Sequence, residues 1–191
     1  MPQALSRRAN LWFDAGTMST SARSWTAKKG LGGMAGVYID KDMTGPGPIL
    51  EYGFEDAYVI GYARPTFLTA VSGHVIHAGP TESYIGLASM MGQFRASQDF
   101  AVWFDVGNEG WIVLEARTSI VGKGGIHYPS SMSFSNYAYI RSVDDDVPAI
   151  EIAGEDGPTA LIHNSGVIGG GTALVSTIAA VDLTNRGIIE G

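Results

Sequence analysis

The chain contains no cysteine among its 191 residues. Disulfide bonds and thiolate metal sites are therefore excluded, and stability must come from packing or from assembly. The chain also lacks any apolar run close to the roughly 18 residues that a membrane-spanning helix needs. Two arginines near the N-terminus are not followed by an apolar segment, so we expect no cleavable secretory signal and no membrane partner.

Helical periodicity is scarce. No window sustains apolar residues at the i, i+3, i+4 and i+7 positions of a helix face, and the best candidate, residues 86–96, is short and interrupted by glycine. Strand-like segments are frequent. Glycine accounts for 26 residues, roughly twice its usual share of about 7%. The sequence therefore predicts an all-β protein with many tight turns.

One pattern occurs twice near the C-terminus, in residues 160–170 and 181–191, at an offset of 21 residues. A repeat of about 20 residues without a helical period is typical of a β-solenoid, whose coils stack like residue over like. The aligned pairs predict an amide ladder, a corner where glycine needs a positive φ, and a dry apolar core: Asn164 with Asn185, Gly166 with Gly187, and Ile168 with Ile189. Two look-alike hairpins are the alternative.

A second match places residues 149–152 over residues 173–176, at an offset of 24. Loops between coils accommodate such differences in length, and residues 154–159 form the longer loop here. The chain stops inside its last coil without a capping segment. We expect either a partner subunit at that end or a longer parent protein.

These patterns predict a β-rich N-terminal body, sandwich-like or irregular, followed by a short C-terminal β-solenoid. The predicted parts are a basic arm with the first strands (1–45), a β-rich body (46–147) and solenoid coils (148–191). A single irregular solenoid is the alternative. Within the body, the clearest predicted hairpin pairs residues 100–106 with 111–115 and sets Trp103 opposite Trp111.

The charge is unevenly distributed. Residues 1–45 carry six basic and three acidic side chains, whereas residues 46–191 carry six basic and sixteen acidic ones. The basic front predicts docking onto an acidic partner surface, with a solvated tail as the alternative. The candidate docking residues are Arg7, Arg8, Arg23, Trp25, Lys28 and Lys29. Nucleic acid is not an expected partner, because the few basic residues do not alternate with aromatic ones.

No catalytic, cofactor or metal motif is present, and we expect no enzyme activity. His74 and His77, three apart on a predicted strand, would point to opposite faces. Residues 144–146 lack the spacing of a calcium loop. A glycan-binding module is the first alternative function, with Trp103 and Trp111 as candidate stacking residues. A polysaccharide-degrading enzyme is the second, and its candidate carboxylate pairs are Asp105 with Glu109 or Glu115, and Glu151 with Asp182.

The segments 162–170 and 183–191 resemble the Asn-x-Gly-x-Ile-x-Gly coils of autotransporter passengers and of bacteriophage tail-spike and fibre proteins. Autotransporter passengers carry a secretory signal and a membrane barrel. We expect neither in this chain, so the resemblance to the phage proteins is favoured. The resemblance covers residues 149–191. It implies a structural virion protein, made in the bacterial cytoplasm without a signal peptide: a capsid decoration protein, a head fibre or a tail appendage.

The same resemblance implies a homotrimer that docks by its N-terminal part onto other virion proteins of the capsid or tail. A host surface glycan is a further implied partner.

Overall fold

The computed structural model describes residues 12–14, 25–26, 35–39, 42–52, 58–62, 67–79, 84–89, 92–154, 159–177 and 180–191. Side chains are described within 42–50, 67–79, 92–154, 159–177 and 180–191. These ranges contain strands and turns but no helix, so none of their segments is a helix able to cross a membrane.

Twenty strands make up the described chain. They are β1 Trp12–Asp14, β2 Trp25–Thr26, β3 Ala35–Ile39, β4 Met43–Gly45, β5 Leu50–Tyr52, β6 Tyr58–Tyr62, β7 Phe67–Ala70, β8 Ile76–Ala78, β9 Tyr84–Ser89, β10 Gly92–Phe104, β11 Glu109–Leu114, β12 Thr118–Pro129, β13 Met132–Asn136, β14 Tyr139–Ser142, β15 Ile150–Ala153, β16 Ala160–Asn164, β17 Val167–Gly169, β18 Leu174–Ser176, β19 Val181–Asn185 and β20 Ile188–Glu190.

All strand pairings among the described residues are parallel, and they form a solenoid with three faces. Face 1 is the sheet β1-β3-β6-β9-β11-β13-β16-β19. The second sheet divides at β10 and β12, two long strands that each turn a corner. Face 2 contains β4, β7, the first halves of β10 and β12, β14, β17 and β20. Face 3 contains β2, β5, β8, the second halves of β10 and β12, β15 and β18.

The core lies inside the coil, because alternate residues of each strand point inward. On β11, for example, Ile112 and Leu114 are fully buried, while Trp111 and Val113 between them are only partly buried. The largest buried side chains include Phe94, Phe104, Tyr128 and Phe134. Each side chain of this kind contributes roughly 1.5–3 kcal/mol when it leaves water, so continuous stacking is what stabilises the solenoid.

The prediction of an all-β protein with a C-terminal solenoid is confirmed. Ile150 pairs with Leu174 at the predicted offset of 24, and β16 pairs with β19 at the predicted offset of 21. The described pairings also continue upstream of residue 148, since β13 pairs with β16 and β14 with β17. The functional division at residues 45 and 147 stays a prediction.

The predicted hairpin is wrong. β10 and β11 follow one another in the chain, but β11 pairs in parallel with β9 and β13. The chain does turn between β10 and β11, where Gly107 has a positive φ of 102°. The buried Asn108 side chain ties this turn to the preceding coil by donating to the Ala78 carbonyl at 3.2 Å. The local signal thus marks a solenoid corner, where the chain leaves one sheet and enters the other.

The best helix candidate, residues 86–96, is strand at its described positions, 86–89 and 92–96. It spans the end of β9 and the beginning of β10.

Candidate functional site

An asparagine ladder lies where face 1 turns into face 2. Asn136 donates its side-chain amide to Asn164 at 2.9 Å, and Asn164 donates to Asn185 at 2.8 Å. Asn136 and Asn164 are almost completely buried. Each asparagine also accepts a hydrogen bond from the backbone N–H two residues later, that of Ala138, Gly166 or Gly187. The predicted Asn164–Asn185 ladder is therefore confirmed, and it caps the corner backbone.

Sequence reasoning missed the third member, Asn136. Its offset from Asn164 is 28 residues rather than 21, because two segments of the intervening coil are longer than their counterparts in the next coil. The segment from Arg141 to Ile150 is four residues longer, and the segment from Ile150 to Ile162 is three residues longer. The glycine two residues after the asparagine is also replaced, by Ala138. The pattern Asn-x-Gly/Ala-x-Ile would have found it, since Ile140 pairs with Ile168 just as Asn136 pairs with Asn164.

The glycines after the ladder have a different role from the one predicted. Positive φ angles occur at other described glycines, but not at Gly166 or Gly187. A Cβ on Gly166 would instead fall on the carbonyl oxygen of Ala138, and a Cβ on Gly187 on that of Gly166. Glycine is needed because successive corners approach each other too closely for a side chain.

Ile168 is fully buried and pairs with Ile189, as the core prediction required. Ile189 packs against the core from the last described coil.

A second ladder runs along the outside of face 3, and we call it the imidazole–indole stack. Its members are His74, His77, Trp103 and His127. His77, Trp103 and His127 are register partners on β8, β10 and β12. The rings of Trp103 and His127 are parallel, with centroids 3.6 Å apart. His74 also stacks on Trp103 at 5.2 Å and on His77 at 5.6 Å.

The stack overturns the expectation that His74 and His77 point to opposite faces. Strand alternation does not apply to them, because residues 71–75 form a bend and β8 begins only at Ile76. The His74 ring is fixed by a contact of 2.9 Å between its Nδ1 and the Phe100 carbonyl. Because a carbonyl oxygen only accepts, that nitrogen carries the proton.

Three carboxylates flank the stack. Asp105 accepts a hydrogen bond of 2.7 Å from the Trp103 indole and lies 3.5 Å from His77 Nε2. Asp99 lies 3.7 Å from His74 Nε2, and Glu151 lies 3.3 Å from His127 Nδ1. Asp105 and Glu151, two of the carboxylates considered for glycan cleavage, thus already contact rings of the stack.

His127 is the most buried imidazole of the stack, with an exposed side-chain fraction of 8%. Burial lowers its pKa below the usual 6.5, since the charged form loses hydration. The hydrogen bond and the charge of Glu151 oppose this effect without cancelling it. Burial thus favours the neutral form of the His127 imidazole.

The two candidate glycan-stacking tryptophans have different surroundings. Trp103 already has two stacking partners, His127 at 3.6 Å and His74 at 5.2 Å. Trp111 lies on the outside of face 1, and its register partners are Gly86 and Ser133. A stacking role stays a prediction for both, and the geometry favours Trp111, whose neighbours are small.

The outer surface of face 1 is uncharged over three coils. After Glu109, the outer positions of β11, β13 and β16 are occupied by Trp111, Val113, Ser133, Ser135, Leu161 and His163. Leu161 is 49% exposed. The outer surfaces of the other two faces carry charged residues on neighbouring strands, such as Arg141 and Glu151.

The candidate docking residues at the N-terminus lie outside the described side chains. Arg7, Arg8, Arg23, Lys28 and Lys29 fall outside the described residues altogether. Trp25 belongs to β2, where its backbone pairs with Leu50. N-terminal docking therefore stays a prediction.

Within the described ranges, no group of three or more His, Asp or Glu side chains is placed to hold a metal ion. Asp144, which opens the acidic triplet, accepts from the Asp146 N–H at 3.0 Å and lies 3.8 Å from Lys123 Nζ. The Asp144 carboxylate is thus engaged within its own turn and by Lys123.

Comparison with known proteins returns no matching family model, no similar curated protein and no similar solved structure.

Proposed function

We propose that this chain is a structural protein of a tailed-phage virion, either a capsid decoration protein, a head fibre or a tail appendage. It assembles as a homotrimer with face 1 of each subunit turned inward. Its N-terminal part docks onto other virion proteins. The parallel solenoid and the absence of cysteine support a rod built by stacking rather than by cross-links.

The uncharged stretch on the outside of face 1, which covers β11, β13 and β16 between Glu109 and Asp182, is the observation that carries the proposal. Parallel sheets are usually covered on both sides, and the centre of a protein interface is poor in charge and rich in aromatic residues. The outer positions of β11, β13 and β16 after Glu109 fit this description in their lack of acidic and basic residues and in the aromatic Trp111, and Leu161 adds exposed apolar surface. A second copy of the chain, presenting the same surface about a symmetry axis, is the occupant that we infer.

Sedimentation equilibrium tests the assembly. The wild-type chain should have three times the monomer mass of 20.2 kDa. Leu161→Lys and Ser133→Lys each place three like charges near the axis and should shift the mass toward the monomer. Val175→Lys is the matched control, because Val175 is 37% exposed on face 3. A monomeric wild type, or equal dissociation by the control variant, contradicts the proposal.

Particle attachment needs a separate test. Antibodies against the chain should label purified phage particles in negative-stain images. Replacing Arg7, Arg8, Arg23, Lys28 and Lys29 with glutamine should leave the circular dichroism spectrum unchanged and prevent incorporation. Incorporation of that variant at the wild-type level would show that the basic front is not the anchor.

A further inference from the structure

A polar groove lies on the outer surface of face 2, away from face 1. It has a volume of about 410 Å³ and is formed where β14, β17 and β20 run side by side. Its principal lining residues are Tyr139, Arg141, Asp145, Gly169, Gly170 and Glu190. The volume is in the range of small-molecule sites.

Gly169 keeps the groove open. It is the register partner of Arg141 on one side and of Glu190 on the other. A Cβ at Gly169 would meet only Glu190 atoms, at the ordinary contact distance of 3.8 Å, so the backbone packing does not require glycine there. The neighbouring Gly171 differs, since a Cβ there would collide with the Asp145 backbone.

One wall of the groove is an aromatic ring with an open side. Tyr139 is 38% exposed, and its register partners Ser119 and Val167 are short. None of the described aromatic rings stacks on it, in contrast to Trp103 on face 3. Its hydroxyl accepts a hydrogen bond of 3.3 Å from an Arg141 guanidinium nitrogen.

Charged groups of both signs line the rest. The pKa of Arg141 is raised, first by its hydrogen bond with Tyr139 and further by the charges of Glu190 and Asp145. The guanidinium and the two carboxylates are thus close enough to interact electrostatically. Two carboxylates facing one guanidinium disfavour a phosphate or another anionic ligand.

We propose that this groove binds one ring of a neutral saccharide. The nonpolar face of the sugar packs on the open side of Tyr139, and Arg141, Asp145 and Glu190 hydrogen-bond to its hydroxyls. Hydroxyls both donate and accept, so they satisfy carboxylates and a guanidinium together, and such charged hydrogen bonds are the stronger ones. This inference does not depend on trimer formation, because the groove and the proposed interface lie on different faces.

Saturation-transfer NMR on the full-length protein provides the test. The probes are linear trisaccharides of glucose, mannose, galactose and N-acetylglucosamine, each at millimolar concentration, with dextran sulfate as the anionic comparison. At least one neutral trisaccharide should show transfer to its ring protons, and dextran sulfate should not compete with it. Absence of transfer to all four probes, or competition by dextran sulfate, overturns the proposal.

Variants then locate the site. Tyr139→Ala should weaken the affinity about tenfold, since the stacking surface is lost. Gly169→Leu should abolish binding by filling the groove, and its melting temperature should stay near that of the wild type. Tyr137→Ala is the matched control, because Tyr137 is 47% exposed two residues away and does not line the groove. Equal loss in Tyr137→Ala, or unchanged binding in Gly169→Leu, would contradict the assignment.

Discussion

The solenoid carries two side-chain ladders of opposite character. The asparagine ladder lies inside the corner between faces 1 and 2, where Asn136 and Asn164 have 0% and 1% exposure. The imidazole–indole stack lies outside face 3, where His74 and His77 side chains keep 20% and 26% exposure. Register stacking builds the asparagine ladder and brings His77, Trp103 and His127 together in the outer stack. The asparagines satisfy corner backbone groups, whereas the imidazoles of the outer stack lie next to carboxylates.

Because of this difference, the asparagine ladder should stabilise the fold more than the imidazole–indole stack does. Removing a member of the buried ladder breaks several hydrogen bonds in a place where water cannot replace them. Removing a member of the outer stack exposes its neighbours to solvent, which can replace lost hydrogen bonds. The inner ladder should therefore dominate stability, and the outer stack should dominate the response to pH.

The largest effect is expected at the corner glycine of the inner ladder. Gly166→Ala places a methyl group on the Ala138 carbonyl and forces two coils apart, which should cost about 3 kcal/mol or more. Gly169→Ala is the control, because its added methyl meets only ordinary contacts. Urea denaturation checks both, and equal midpoints for the two variants would refute the close-approach explanation.

The next effect is expected within the amide ladder. Asn164→Ala removes four hydrogen bonds at a buried position, and this loss should cost about 2–4 kcal/mol. The Asn164 side-chain oxygen accepts two of them, from the Asn136 amide and the Gly166 N–H, and its amide donates the other two, to the Asn185 side-chain oxygen and the Ile188 carbonyl. Asn185→Ala, at the exposed end of the same ladder, should cost less than half as much. Thermal denaturation compares them, and a larger loss at Asn185 would contradict the burial argument.

The smallest effect is expected in the outer stack and depends on pH. The pKa of His127 is lower in the folded chain than the unfolded value near 6.5, so the unfolded state takes up the proton first. Stability from this group is complete above pH 6.5 and is lost as the pH falls from 6.5 to the folded pKa. Groups of the surrounding stack, Glu151, Asp105 and His74, modulate the value.

Denaturant titrations of wild type and His127→Gln between pH 8 and pH 5 measure this contribution. The wild type should lose more stability than the variant over the range below pH 6.5. Parallel curves for the two proteins would show that His127 does not contribute to the slope.

The sequence predicted the inner ladder better than the outer stack, for a physical reason. Asn164 and Asn185 are followed by the same residue types at the same spacing, so their alignment is visible along the chain. The stack joins His77, Trp103 and His127 at offsets of 26 and 24, and its members are of different types. Only coil register brings such residues together, and register depends on the lengths of several corners.

Corner lengths also explain why the sequence pattern did not predict the coils that precede residue 148. β10 and β12 run through a corner without a break, and the register of their pairing shifts between Ala96 and Phe100. A turn such as Gly107–Gly110 has the same local chemistry in a hairpin and in a solenoid corner. In a solenoid the next strand then joins a different sheet, and the sequence near the turn does not show which sheet that is.

The central claim is that one parallel solenoid continues across residue 147, and the absence of cysteine makes it directly testable by cross-linking. Ser135 and His163 are register partners on the outside of face 1, at the spacing of neighbouring strands, and disulfides form between Cα atoms about 4.4–6.8 Å apart. Mass spectrometry of the Ser135→Cys/His163→Cys variant after mild oxidation should show a disulfide within one chain. The pair Ser133→Cys/His163→Cys, shifted by two residues, should stay reduced. Oxidation of the shifted pair alone, or of neither pair, would contradict the account.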